Sequence, residues 1–187
     1  MTSTRRLEQE HRTILLLLAV LDRLARQALA GERPVKQLEE AIALLRAFAD
    51  EGHHGKEEGH LFPALLIAGV VPRHGDHVAL MVQEHDVGRR ELDAVAEAVI
   101  ALALGYDASG RLARAVARYV ALLQDHIQLE NEVLFPLARE LLLRASDTLE
   151  RGYADVDVAT FGPGGYDRVL ARIDALAAAT LGSSAAR

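Results

Sequence analysis

The sequence predicts an all-α protein, an up-down-up-down four-helix bundle followed by a short C-terminal helical extension. Three observations predict it. Half of the 187 residues are hydrophobic, with Ala and Leu dominant and few aromatics, a mix that favours helix because these side chains lose little on entering one. Apolar residues recur at helical spacing over four long stretches. The chain also repeats itself: His53-His54-Gly55-Lys56-Glu57-Glu58-Gly59-His60-Leu61-Phe62-Pro63 returns 73 positions later, from His126 to Pro136, and both copies reduce to His-x-x-x-Glu-x-x-x-Leu-Phe-Pro. Gln9-Glu10-His11 returns 74 positions on as Gln83-Glu84-His85.

The first helix runs through Leu7, Ile14, Leu18, Leu21 and Leu24 and stops at Gly31-Glu32-Arg33-Pro34. Pro34 suits the first position of the second, which carries Leu38, Ile42, Leu45 and Phe48 through the first motif and fades near Ala68-Gly69. Residues 70–76, with Pro72 and Gly75, read as a connection, with His74 and His77 solvated. A third helix spans about 76–104, and Gly105-Tyr106-Asp107 breaks it. The fourth, capped by Asp107 or Ser109, runs through the second motif to about Leu143. The bundle is thus expected over 1–145. An extension follows over 146–187: a polar, irregular stretch to Thr160, a turn at Phe161-Gly162-Pro163-Gly164-Gly165, one packing helix on the bundle exterior (Val169, Leu170, Ile173, Leu176) and a frayed Gly182-Ser183-Ser184 end.

Composition excludes several function classes. A net charge of −6 without a basic block argues against nucleic acid. The absence of cysteine removes disulfides, thiolate metal sites and thiol catalysis. No apolar run approaches the roughly 20 residues of a membrane span, and the first twelve residues lack the pattern of a secretory signal. A cytoplasmic, soluble protein is expected.

The histidines then register with one another. His11 lies 19 residues before Ala30, His53 19 after Pro34, His85 19 before Leu104 and His126 17 after Ser109. At about 1.5 Å rise per residue each sits roughly 26–29 Å from its turn, so an antiparallel bundle brings all four to one level. Residues i and i+4 share a helix face, so His53/Glu57 and His126/Glu130 each aim a nitrogen and a carboxylate at one point. His11 and His85 add a nitrogen each. Imidazole suits iron, zinc and copper, and carboxylates bridge two ions. The candidate ligand set is His11, His53, Glu57, His85, His126 and Glu130. Symmetry pairs His11 with His53 on one ion and His85 with His126 on the other, bridged by Glu57 and Glu130. Positions stay open for oxo, water or an exogenous ligand.

A single His-x-x-x-Glu on a helix is commonly a surface ion pair. Two copies with two further histidines at the same height outweigh that reading, because six polar groups facing a bundle core without partners would cost on the order of 1–3 kcal/mol each. His60 shares the stripe of His53 and Glu57 and is a second-tier ligand. His54 and Glu58, offset by about 100°, read as a partly exposed pair. Pro63 and Pro136 each remove a backbone donor and tend to kink a helix, and Phe62 and Phe135 read as core residues that also wall the site. Gly52, Gly55 and Gly59 suggest close helix approach or local flexibility. Tyr119 reads as a core tyrosine.

These residues resemble the hemerythrin-like, or HHE cation-binding, family of bacterial type over about residues 5–145. The likeness rests on Glu10-His11, Phe48-Ala49-Asp50 with His53-His54-Gly55-Lys56-Glu57-Glu58, Leu61-Phe62-Pro63, Met81 with Glu84-His85-Asp86, and the stretch from His126 to Pro136. The resemblance implies a non-haem centre of two iron ions, oxo- or hydroxo-bridged and spanned by two carboxylates. It also implies a small diatomic ligand or peroxide as partner, and chemistry of the kind that gives weak catalase- or oxidase-like turnover. Oxygen carriers of that family place a fifth histidine one turn before the third-helix ligand, where this chain has Met81. That departure implies a four-histidine site, open at one more position and unsuited to simple oxygen carriage. An iron- or oxygen-responsive sensor and a structural zinc bundle are the competing readings.

Overall fold

The computed structural model describes residues 3–70 and 77–182. Helices make up nearly all of it, and the described residues contain no strand. The expected connection over 71–76, with His74, and the Ser183-Ser184 end lie outside the described residues.

The first helix, α1 (Ser3–Leu29), buries Leu7, Ile14, Leu17, Leu18, Leu21 and Leu24. It ends where Gly31 takes a φ of +91°, a conformation costly to any residue with a Cβ, and the Glu32 N–H folds back onto the Gln27 carbonyl. Gly105 (φ +96°) ends α4 (His77–Ala103) in the same way, with the Tyr106 N–H on Ala101. The second rod runs over 35–67 and changes its winding: α2 (Val35–Leu44), a π-helical stretch (Leu45–His54), a second one (Glu57–Leu61), then α3 (Phe62–Ile67). The fourth repeats the pattern as α5 (Ser109–Leu129), a π segment (Glu130–Leu134) and α6 (Phe135–Leu141).

The repeated Leu-Phe-Pro explains two of the π segments. Each starts at the motif glutamate and closes when the phenylalanine N–H reaches that glutamate's carbonyl: Phe62 to Glu57 and Phe135 to Glu130. The proline that follows has no N–H, and its ring would clash with the carbonyl four residues back. A wider turn relieves both problems without breaking the rod. The expected kink is thus a change of winding.

Three further expectations change. Neither Asp107 nor Ser109 caps α5: Ala108 holds the cap position, and the Ser109 hydroxyl donates to Asp107. The stretch read as irregular is a helix, α7 (Ser146–Phe161), so the extension carries two helices rather than one. Its buried stripe is Leu149, Gly152, Tyr153 and Asp157, helically spaced but half of it glycine and aspartate, which hides the period from a hydrophobic count. The last helix, α8 (Gly165–Leu181), sends Val169, Ile173 and Leu176 into the main core beside α1 and α2 instead of lying on the exterior.

Two apolar clusters result. One lies toward the Gly31 and Gly105 turns, built on Leu21, Leu45, Val95 and Leu123; the other gathers Leu7, Phe62, Met81, Phe135 and Tyr153. No described helix is long and apolar enough to cross a membrane.

Candidate metal centre

Between these clusters a buried polar layer collects groups that apolar packing alone would exclude. Glu10, His11, His53, His54, Lys56, Glu57, His85, His126 and Glu130 are all buried, and both motif glutamates are fully enclosed. Two sets of side chains within it could hold a metal ion: His11, His53, Glu57 and Glu130, and His54, Glu57, His85 and His126. Glu57 belongs to both sets.

Four of the imidazoles have one nitrogen fixed from outside. Nδ1 of His53 lies 3.1 Å from Glu10, that of His85 2.7 Å from Glu58, that of His126 2.9 Å from Glu84 and that of His11 3.0 Å from the Asn131 amide oxygen. Carboxylates and amide oxygens only accept, so each Nδ1 carries a proton, and in the neutral ring each Nε2 turns a bare lone pair inward. Those lone pairs then face other acceptors. Nε2 of His85 and of His126 are 3.1 Å apart, and Nε2 of His11 is 3.0 Å from a Glu130 oxygen. Acceptor opposite acceptor is repulsive unless a cation lies between them.

The carboxylates fit the same conclusion. One Glu57 oxygen is 3.4 Å from His53 and the other 3.5 Å from His85, so the group reaches toward both sets. Glu130 likewise approaches His11 and His126. Both Glu57 oxygens, one Glu130 oxygen, His53 Nε2 and His54 Nδ1 are buried with no hydrogen-bond partner among the described residues. The four glutamate and His53 atoms among these, left as acceptors, would each cost on the order of 1–3 kcal/mol, and bound cations would satisfy them together. Burial, reinforced by the Glu130 charge, pushes Glu57 well above the usual carboxylate range. Burial also lowers His53, to about 4, and His54 and His85, so all three stay neutral with a lone pair free for a metal.

The layer follows an approximate two-fold pattern that matches the repeat. Phe135 stacks on His11 and Phe62 on His85, with ring centroids 5.2 and 5.8 Å apart. Glu10 holds His53 as Glu84 holds His126, and the residue after each motif glutamate, Glu58 or Asn131, holds the lone histidine of another helix. The Gln-Glu-His repeat therefore supplies an orienting carboxylate as well as a histidine. That carboxylate was visible in the sequence as a repeated Glu and carried no role there.

All six of the expected ligands, His11, His53, Glu57, His85, His126 and Glu130, lie in this layer. His54 is a correction. It is buried rather than partly exposed, and its ring stacks on His85 at 3.8 Å. The 100° offset assumed α-helical winding, whereas π winding through Leu45–His54 turns by less per residue, so adjacent histidines both face inward. Five imidazoles converge, one more than the four expected. Met81 is fully buried in the second apolar cluster. His60 belongs to neither set: it packs against Gly152 and edge-on to Tyr153, at 6.3 Å. His77 opens α4, half-buried. Gly52 does sit at a close approach, since an added Cβ would lie 2.8 Å from the Phe161 ring; Gly55 makes ordinary contact and Gly59 faces open space.

One orienting carboxylate reaches further. Glu10 also meets Lys56 at 2.7 Å and the Tyr166 hydroxyl at 3.1 Å, and Lys56 meets Asp157 at 2.7 Å. Arg6 closes the network onto Asp157. Against the cost of burial, His53 and Lys56 hold Glu10 at about 2. The network ties α1, the second rod, α7 and α8 to one metal-facing histidine.

Comparison with known proteins agrees with this geometry. The family described as Hemerythrin HHE cation binding domain matches residues 2–138. Uncharacterized proteins of Mycobacterium bovis and Mycobacterium tuberculosis are each 27% identical over 177 residues, covering 92% of this chain and 68% of the relative. No solved structure matches.

Proposed function

This chain belongs to the hemerythrin HHE cation-binding family, and we propose that it holds two iron ions that bind or react with dioxygen, nitric oxide or peroxide. The observation that carries this reading is the set of inward lone pairs: His85 and His126 nitrogens 3.1 Å apart, each with its other nitrogen already committed to a carboxylate. His11 and His53 would hold one ion, His54, His85 and His126 the other, with Glu57 and Glu130 shared. An iron pair supplies reversible one- and two-electron chemistry toward small oxygen and nitrogen species. The residues contribute neutral, oriented donors, two carboxylates that offset cationic charge, and Phe62 and Phe135, which exclude water from two of the rings. The optical spectrum of iron-loaded protein with and without azide tests this. Ligand-dependent visible bands at two irons per chain support it, and a colourless protein that retains only zinc contradicts it.

A second reading, an iron- or oxygen-responsive module, is favoured by the Glu10–Lys56–Asp157–Tyr166 network. It links His53 to both C-terminal helices.

A further inference from the structure

Beside the second ligand set a cavity of about 220 Å³ opens to solvent, with His54 and His85 among its lining residues. It is graded from inside to outside. The two histidines are buried, as are Gly88, Leu92, Tyr119 and Leu123 along the wall. Arg46, Arg89 and Asp93 line it with side chains 36–66% exposed. Gly88 lines the wall on α4, where an added Cβ would lie 3.4 Å from the Leu123 side chain of α5. The space admits several water-sized molecules, and the buried His54, whose Nδ1 lies 3.6 Å from Asp50, belongs to its lining.

The charge at the mouth selects among ligands. The cavity's charged residues are Arg46 and Arg89 against Asp50, Glu51 and Asp93. Both arginines are paired with carboxylates. Arg89 spends its three nitrogens on Asp50, Glu58 and Asp86, and Arg46 meets Asp93 at 2.7 Å. What remains is a weakly negative rim over an apolar wall. We propose that this cavity is the access route by which a small neutral molecule reaches the metal centre on its His54–His85 side, and that the rim discriminates against anions. The proposal rests on the iron reading given above. A shallower depression borders the other ligand set at His11, Arg12 and Leu15, and it supplies the control.

The experiment has two arms. In metal-free protein, xenon should shift the methyl resonances of Leu92 and Leu123 and leave Leu15 unchanged; this arm stands whatever metal the protein takes. In iron-loaded protein, nitric oxide association is followed by stopped-flow absorbance in Arg46→Trp, which obstructs the mouth, in Leu123→Phe, which narrows the wall, and in Leu15→Trp. The first two should slow association about tenfold with iron content and spectrum unchanged, and the third should not slow it. Azide association should quicken as salt screens the rim, while nitric oxide is indifferent to salt. Unshifted leucine methyls, equal slowing by Leu15→Trp, unchanged rates in both cavity variants, or azide association slowed by salt would each overturn the proposal. Failure to bind iron with the xenon shifts intact would instead count against the iron reading.

Discussion

Four imidazoles hold their outer nitrogen on Glu10, Asn131, Glu58 and Glu84, so each lone pair is aimed before any ion arrives. His54 has a looser hold: its Nδ1 lies 3.6 Å from Asp50, and its ring stacks on His85. Because it stands in the ligand set with His85 and His126, His54→Ala should cost as much metal as His85→Ala; metal analysis retaining two ions in H54A would return it to a packing role. In the sequence, the duplicated motif exposes the six-ligand frame, but His54 has no counterpart there: Ile127 occupies the matching position, and it is a core residue. The break in symmetry was legible and its meaning was not, because winding decides which way residue 54 points. Acid should act at this scale. Burial holds the folded His53 at about 4 and lowers His54 and His85, while an unfolded imidazole titrates near 6.5. The unfolded chain therefore binds more protons between those values, and the stability these groups contribute is fully present above about 6.5 and lost as pH falls toward 4. Glu57, raised by burial and by Glu130, works alone in the opposite sense. Metal-free protein should melt progressively lower from pH 7 to pH 4.5, and a flat profile in both this protein and Glu57→Gln, which removes the opposing group, would mean that the imidazoles are charged when folded.

The elements carry a second kind of information. The prolines at 63 and 136 signalled a helix disturbance, but its form, a π turn closed by Phe62 or Phe135 on the motif glutamate's carbonyl, depends on tertiary packing that keeps each rod continuous. The last two helices were half legible. Val169, Ile173 and Leu176 keep a plain period in α8, whereas α7 buries a glycine and an aspartate that only make sense against Phe62's rod: Gly152 receives His60, and Asp157 meets Lys56. Gly52 tests this packing. Glycine to alanine within a helix ordinarily stabilises by about 0.8–1 kcal/mol. Here the new Cβ would lie 2.8 Å from Phe161, itself packed between Phe48 and Tyr166, so Gly52→Ala should destabilise by about 1–3 kcal/mol. Denaturant unfolding reads the sign. Recovery of stability when Phe161→Leu is combined with it would locate the clash, and a stabilised single variant would mean that α7 does not press on the second rod.

Across the whole molecule, two apolar clusters hold a polar layer that neither could stabilise by itself. Binding of metal to the folded state alone adds about 4 kcal/mol at a thousandfold excess over Kd. Chelation should therefore lower Tm while leaving helical content largely intact, since the clusters on either side do not involve the ligands; a melt indifferent to chelation would mean the histidines have other partners. Lys56 links this layer to the C-terminal helices. Lys56→Met removes the buried cation shared by Glu10 and Asp157 and leaves Arg6 as their remaining cationic partner; it should cost about 1–3 kcal/mol, read by denaturant titration, whereas a neutral result would mean that the network is dispensable for holding α7. The most direct test of a two-ion centre shared by Glu57 is anomalous diffraction at the iron edge from crystals of the iron-loaded protein. Two peaks should appear roughly 3.5–4 Å apart, one beside His11 and His53, the other beside His54, His85 and His126, with Glu57 touching both. A single peak, or a second one outside the His54–His85–His126 set, would contradict the account.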